Sequence, residues 1–238
     1  MKDATLVTVA GRDPQAQHGV VNPGVYHAST MLFPSMAALE SARPGTHYGR
    51  YGTPTSHALE TAVAALEGAH AAFALGSGKT AITTMLLALL RSGDHLLVTD
   101  SAYAPTRLFC ERVLARFGVT TDYFDPSLGA GIAGLIRPET RLVFTESPGS
   151  LTFEVQDIPS IAAAAHAKGC LVAIDNTWAS PLYFKPFAHG VDISVHAGTK
   201  YIGGHSDLML GLITCTEAVH DRLRRGIHEL ATAAAPDD

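Results

Sequence analysis

The sequence predicts an α/β domain of three layers, with helices on both faces of a mostly parallel sheet. Two patterns predict it. From residue 56 onward, short apolar runs alternate with segments of helical periodicity, the mark of strand–helix–strand units with right-handed crossovers. The short runs are apolar almost throughout, as in strands buried on both faces. Composition agrees: of 238 residues, 47% are hydrophobic and 16% charged, where an average domain carries about a quarter charged.

Residues 1–55 differ from the rest. They hold Pro14, Pro23, Pro34, Pro44 and Pro54 among many Gly, Ser and Thr, with weak periodicity. They are expected to form an extended N-terminal arm that contacts another subunit, leaving 56–238 as the main domain. The first helix is expected from Ser56 to about Leu66, with Leu59, Ala62, Val63 and Leu66 on one stripe and Gly68 as its stop. A short strand, AAFAL, leads into GSGKT and a second helix bearing Ile82, Met85, Leu86, Leu89 and Leu90. HLLVTD reads as a buried strand. A helix then carries Cys110, Val113, Leu114 and Phe117. TTDYFD, TRLVFTE and CLVAIDN read as strands, the last two separated by an alanine-rich helix over 158–168 between Asp157 and Gly169. DISVHAG and LMLGLITC complete the strands, and a polar helix starts near Glu217.

Net charge is -5, which argues against nucleic acid or an anionic membrane as partner. RLRR at 222–225 reads as a solvated helix face, and no apolar run is long enough to span a bilayer. Cys110, Cys170 and Cys215 are odd in number and form no CxxC, so reduced, buried thiols are expected. MKDATLVTVAGRDP lacks the apolar core of a secretory leader. These features set a cytoplasmic protein as the expectation.

Ligands of such sheets sit beyond the C-terminal ends of the strands. Residues 76–79, 100–103, 146–150, 175–178 and 197–200 fall there. GSGKT resembles a nucleotide loop, but GxxxxGK[ST] needs glycine where Phe73 stands. What remains is a glycine turn into a helix N-terminus, a favourable place for an anion. Of five lysines, Lys2 is terminal, Lys168 ends a helix and Lys185 falls in an expected surface loop. Lys79 belongs to GSGKT. Lys200 ends an apolar strand on the rim, where a crowded amine can act as nucleophile. Asp175 ends the neighbouring strand and Tyr103 follows another. A lysine for the aldehyde, an anion site for the phosphate, an acid for the ring nitrogen and an aromatic face are what pyridoxal phosphate (PLP) requires.

In VNPGVYHAST, YGRYGTPT, GSGKTAI, DSAYAPTRLF, YFDP, ESPGSLT, IDNTWASP and TKYIGGHSD, in that order, the chain resembles the Cys/Met-metabolism family of fold-type I PLP enzymes. The resemblance implies the aspartate-aminotransferase-like fold and PLP as cofactor. It implies that Lys200 carries the cofactor, Asp175 pairs with its ring nitrogen and Tyr103 stacks on the ring. Gly78 and Lys79 N–H groups with the Thr199 hydroxyl would hold the phosphate, and Tyr48 and Arg50 would reach that of a neighbouring subunit. It further implies carbon–sulfur lyase chemistry, α,β-elimination of L-cystathionine, in a homo-oligomer built as a dimer of dimers. Other family members, with γ-synthase, γ-lyase or sulfhydrylase activity, are the alternative, as is a non-catalytic PLP-binding fragment. The chain departs from the pattern at Ala197, usually serine, at Ser150, often asparagine, and at Lys79, usually small or apolar. The family's C-terminal domain, with its arginine for the substrate carboxylate, is expected to be absent.

Overall fold

A computed structural model of the chain describes residues 1–41 and 46–237. Pro44 of the expected arm and Asp238 of the expected domain lie outside the described residues. Seven strands form one sheet: β1 (Ala71–Leu75), β2 (His95–Thr99), β3 (Thr120–Phe124), β4 (Thr140–Glu146), β5 (Leu171–Asp175), β6 (Ile193–His196) and β7 (Gly211–Cys215). Their order is β1-β7-β6-β5-β4-β2-β3. Every expected strand is present. The sheet is parallel except for β7, which runs antiparallel to both β1 and β6. The link from β6 to β7 contains no helix, and a parallel return normally needs one.

Side chains alternate between two apolar layers, the period-two consequence of the pleat. On one face, Leu96, Val98, Leu142, Phe144, Val195 and Ile213 pack under α4 (Gly78–Leu89), α5 (Ala104–Arg112) and α8 (Glu217–Leu230). On the other, Leu97, Val143, Val172 and Ile174 meet α6 (Ile158–His166), and Ala72, Ala74 and Leu212 meet Val63 of α3 (Pro54–Glu67). This is the three-layer α/β/α architecture that the sequence predicts.

The helix ends follow local chemistry. Helix α3 opens on a capping box between Thr53 and Ser56 and stops at Gly68, whose φ of 74° is left-handed. The helix expected to run from Cys110 to Phe117 instead stops at Arg112 and continues as a 3₁₀ turn over Leu114–Phe117, closed by Gly118 at φ 77°. The arm is only partly extended: α1 (Asp3–Val9) and α2 (Met36–Glu40) are short helices, and a 3₁₀ turn spans Gly49–Tyr51. Lys185, expected on a surface loop, is half-buried instead. Its Nζ donates to the Leu66 carbonyl and pairs with Asp3 at 3.2 Å, tying the arm to the end of α3.

Edge strand β1 is covered on its open side. Glu60 of α3 accepts the Ala74 N–H at 2.9 Å, which blunts an unpaired ladder group. Burial pushes the Glu60 carboxyl from 4.5 up to about 7, against the pull of that hydrogen bond. A folded value above the unfolded one means that stability is fully present below pH 4.5 and is lost as pH rises toward about 7. Glu60→Gln should therefore flatten the loss of stability across that window, read as the urea midpoint against pH. An unchanged slope would refute the assignment.

Candidate active site

The C-terminal ends of β1, β2, β4, β5 and β6 share one rim with the N-terminal end of the antiparallel β7. A cleft of about 910 Å³ opens there, lined among others by Tyr103, Glu146, Trp178, Thr199, Lys200 and Tyr201. Of the expected site residues, Tyr103, Thr199 and Lys200 line this cleft; Tyr48, Arg50, Gly78, Lys79 and Asp175 do not.

Lys200 lies in the turn after β6. Its N–H donates to the Ala197 carbonyl at 2.9 Å and its carbonyl accepts from Gly204 at 2.7 Å. Thr199 fixes this turn to the start of β7. Its hydroxyl donates to the Leu210 carbonyl at 3.1 Å and accepts the Leu210 N–H at 3.0 Å. The crowding expected of Lys200 is not observed, since the side chain stands exposed in the cleft. Tyr103, also exposed, opens α5. Its N–H donates to Glu146 Oε2 at 2.7 Å.

The link from β1 to α4 is only Gly76–Ser77, too short to wrap a nucleotide's phosphate. Ser77 caps α4 by accepting the Thr80 N–H at 3.1 Å. Gly78 and Lys79, as the first helical residues, have no intrahelical acceptor for their N–H groups. A Cβ on Gly78 would come within 2.6 Å of the Ala197 Cβ. Glycine there lets the helix N-terminus press against the turn that carries Thr199 and Lys200. The Lys79 side chain is exposed.

Asp175 is buried at the end of β5. Its Oδ1 accepts the Thr177 N–H at 3.0 Å. Burial pushes its carboxyl above the ordinary range, opposed by the Thr177 hydrogen bonds and by the charge of His196. Below the rim lies a second buried group that sequence reasoning missed. Glu67 Oε1 accepts from Asn176 Nδ2 at 3.0 Å, Ser194 Oγ at 2.7 Å and His196 Nε2 at 2.7 Å, and Oε2 accepts from Thr214. Burial works against charge on both partners. The imidazole charge and these hydrogen bonds nevertheless hold Glu67 below its usual value, and the Glu67 charge holds His196 above its own. The available signal was a glutamate at the C-terminal end of a helix, where the dipole disfavours it. Glu146, the first residue of ESPGSLT, was also passed over as a site residue.

Arg50 lies between the rings of Tyr48, at 5.6 Å, and Tyr51, at 4.8 Å, and donates to the His228 carbonyl on α8 at 3.2 Å. Within one chain it is thus placed on the far end of α8, not at the Lys200 cleft.

An open α/β rim with a lysine, an aromatic ring and a buried acid grouped at strand ends defines a cofactor-binding domain, and these residues fit PLP. The chain matches the family of Cys/Met metabolism PLP-dependent enzymes over residues 4–238. It belongs to that family, whose cofactor is PLP. It is 50% identical over 234 residues to a Rhizobium johnstonii protein provisionally named cystathionine beta-lyase, covering 98% of this chain and 59% of that one. It is 40% identical over 233 residues to cystathionine beta-lyase MetC of Escherichia coli, covering 95% of this chain and 59% of that one. The structure of cystathionine gamma-lyase from Lactobacillus plantarum, complexed with L-serine, superposes with a TM-score of 0.93 at 33% identity, covering 100% of this chain and 61% of that one. The chain thus spans about 59% of the length of these two curated relatives. Among the described residues no helix is long and apolar enough to cross a membrane.

Removing one partner of a buried ion pair strands the other charge, at roughly 3–5 kcal/mol. Glu67→Gln should lower the unfolding free energy by about that amount in urea titration. A loss under about 1 kcal/mol, the worth of an exposed pair, would show that the His196 contact carries no charge.

Proposed function

We propose that this chain supplies the PLP-binding part of a carbon–sulfur lyase that acts on L-cystathionine, giving homocysteine, pyruvate and ammonia with uptake of water. One observation carries the reading. Lys200 and Tyr103 line a single cleft above the buried Asp175, in a family member 50% and 40% identical to two proteins named as cystathionine beta-lyases. When bound, PLP supplies an electron sink that lowers the barrier to removing the Cα proton and expelling the β-thiol.

The remaining roles belong to side chains and backbone. Lys200 Nζ would be the group that holds the cofactor and the base that takes the Cα proton. Tyr103 would cover one face of the ring. Asp175 pairs with the ring nitrogen, its carboxylate offsetting the positive charge there. Gly78 and Lys79 N–H groups at the α4 N-terminus would receive the phosphate; the Thr199 hydroxyl would join them by turning its hydrogen from the Leu210 carbonyl to a phosphate oxygen.

Residues 56–238 would be the PLP-binding domain and 1–55 the arm. Tyr48 and Arg50 would meet the phosphate in a neighbouring copy, so the assembly is read as a homo-oligomer, a dimer of dimers. The arginine for the substrate carboxylate would belong to the further length that the relatives have. A γ-lyase remains the second reading, favoured by the likeness to the Lactobacillus plantarum enzyme.

Borohydride reduction should trap PLP on the wild-type chain and on Lys79→Ala, but not on Lys200→Ala. Mass spectrometry placing the pyridoxyl group on Lys79 would overturn the assignment. For the reaction, pyruvate release from L-cystathionine is compared with release of 2-oxobutanoate, the keto acid that γ-elimination leaves. Predominance of the second would move the reading to the γ-lyase.

A further inference from the structure

Glu146 and Asp207 are carboxyls on the cleft wall with no role in the reading above, and Glu146 is the one that stands beside a buried acid. Strands β4 and β5 are parallel neighbours and pair Glu146 with Asp175 in register. Paired residues on adjacent strands project to the same face, about 4.8 Å apart along the ladder. Both therefore leave the sheet side by side at the rim, Asp175 buried and Glu146 half-buried. Two carboxylates that leave paired positions of adjacent strands and feel one another's charge in a partly dry site do not both ionise readily.

Glu146 is also fastened to the loop that carries Tyr103. Its Oε2 accepts the Tyr103 N–H at 2.7 Å. Four residues on, the Ser150 N–H donates to the Ser101 carbonyl at 2.8 Å. Between them, a Cβ on Gly149 would come within 2.7 Å of the Ser101 Cβ. The segments after β2 and β4 are thus closed on one another, and the Glu146 side chain sets where α5 begins. Tyr103 is the first residue to depend on that position.

We propose that Glu146 is a positioning residue of the PLP site, its carboxyl fixing Tyr103 over the cleft and sharing a single negative charge with Asp175. This rests on the reading of Lys200, Asp175 and Tyr103 as the cofactor's residues. The groups that face Glu146 are Asp175 from β5, Tyr103 from the start of α5 and, across the cleft, Lys200, Tyr201 and Asp207. Burial, and then the Asp175 charge, push Glu146 up to about 8, while the Tyr103 N–H pulls it down. Burial raises Asp175 as well, so the pair carries one charge between two acids, and Glu146 when protonated still offers Tyr103 its carbonyl oxygen as acceptor.

The test has two readouts. In the chain without added PLP, carbon NMR of the Asp and Glu carboxyls should show one group titrating near pH 8. Glu146→Gln should abolish that titration and lower the one assigned to Asp175. A Glu146 carboxyl titrating near its ordinary 4.5 overturns the shared charge. In the PLP-loaded chain, Glu146→Ala should weaken PLP binding about tenfold, the equivalent of about 1.4 kcal/mol, and alter the visible circular dichroism of the cofactor. Glu146→Gln, which keeps the acceptor, should restore both. Wild-type affinity and dichroism in Glu146→Ala overturn the positioning role. If the alanine variant does not fold, a Glu146→Gln chain with weakened binding and altered dichroism overturns it equally. Failure of wild-type protein to take PLP on Lys200 would overturn the underlying cofactor reading, and the carboxyl titration would still decide the pairing.

Discussion

A single carboxylate without access to water organises the middle of this domain. Glu67 ends α3, where the helix dipole opposes a negative charge, and its burial raises the cost further. The compensation is four hydrogen-bond donors, drawn from the residue after β5, from two positions on β6 and from one on β7. A buried ion is tolerable only when its oxygens are filled in this way. The helix therefore cannot shift relative to three strands without unmaking the whole set. Those strands carry Asp175, the Lys200 turn and the Gly211 end of β7, so the hub fixes the base on which the cleft stands.

Above that base the rim is held by close backbone approach. A Cβ on Gly211 would lie 1.9 Å from the Ser77 carbonyl oxygen, and one on Gly78 would meet Ala197. Together with the two hydrogen bonds between Thr199 and Leu210, these contacts bring the start of α4, the lysine turn and the start of β7 to one point. The antiparallel direction of β7 is what allows it, since only then does its N-terminal end reach the rim where the other strands finish.

Most of the fold was legible because doubly buried strands and amphipathic helices leave different apolar periods in the chain. TRLVFTE and AAFAL became strands with the bounds their sequences suggest. The direction of β7 was not legible, because a strand buried on both faces reads the same either way round. Lys200, Asp175 and Tyr103 were visible as polar residues ending apolar runs. Glu67 was not, since a glutamate before a helix-stopping glycine reads as solvated, and its donors lie 109 to 147 residues away. His196 was hidden within an apolar strand, with nothing local to mark its partner. Lys185 misled for the same reason: only the folded arm supplies Asp3.

The likeness of GSGKT to a nucleotide loop follows from shared physics with different geometry. Both arrangements use glycine to turn a strand sharply into a helix whose first N–H groups lack acceptors. A nucleotide loop then needs enough backbone between strand and helix to encircle a phosphate, and a lysine turned inward to meet it. Here Leu75 ends the strand and Gly78 begins the helix, so only Gly76 and Ser77 lie between. The Ser77 hydroxyl is already engaged with the Thr80 N–H and hydroxyl, and the Lys79 side chain faces solvent. What the segment retains is a helix end with unpaired N–H groups, pressed against the turn of a different lysine. That geometry suits the phosphate of the carrier proposed to attach at Lys200, and the two-residue link is too short for one that must be wrapped.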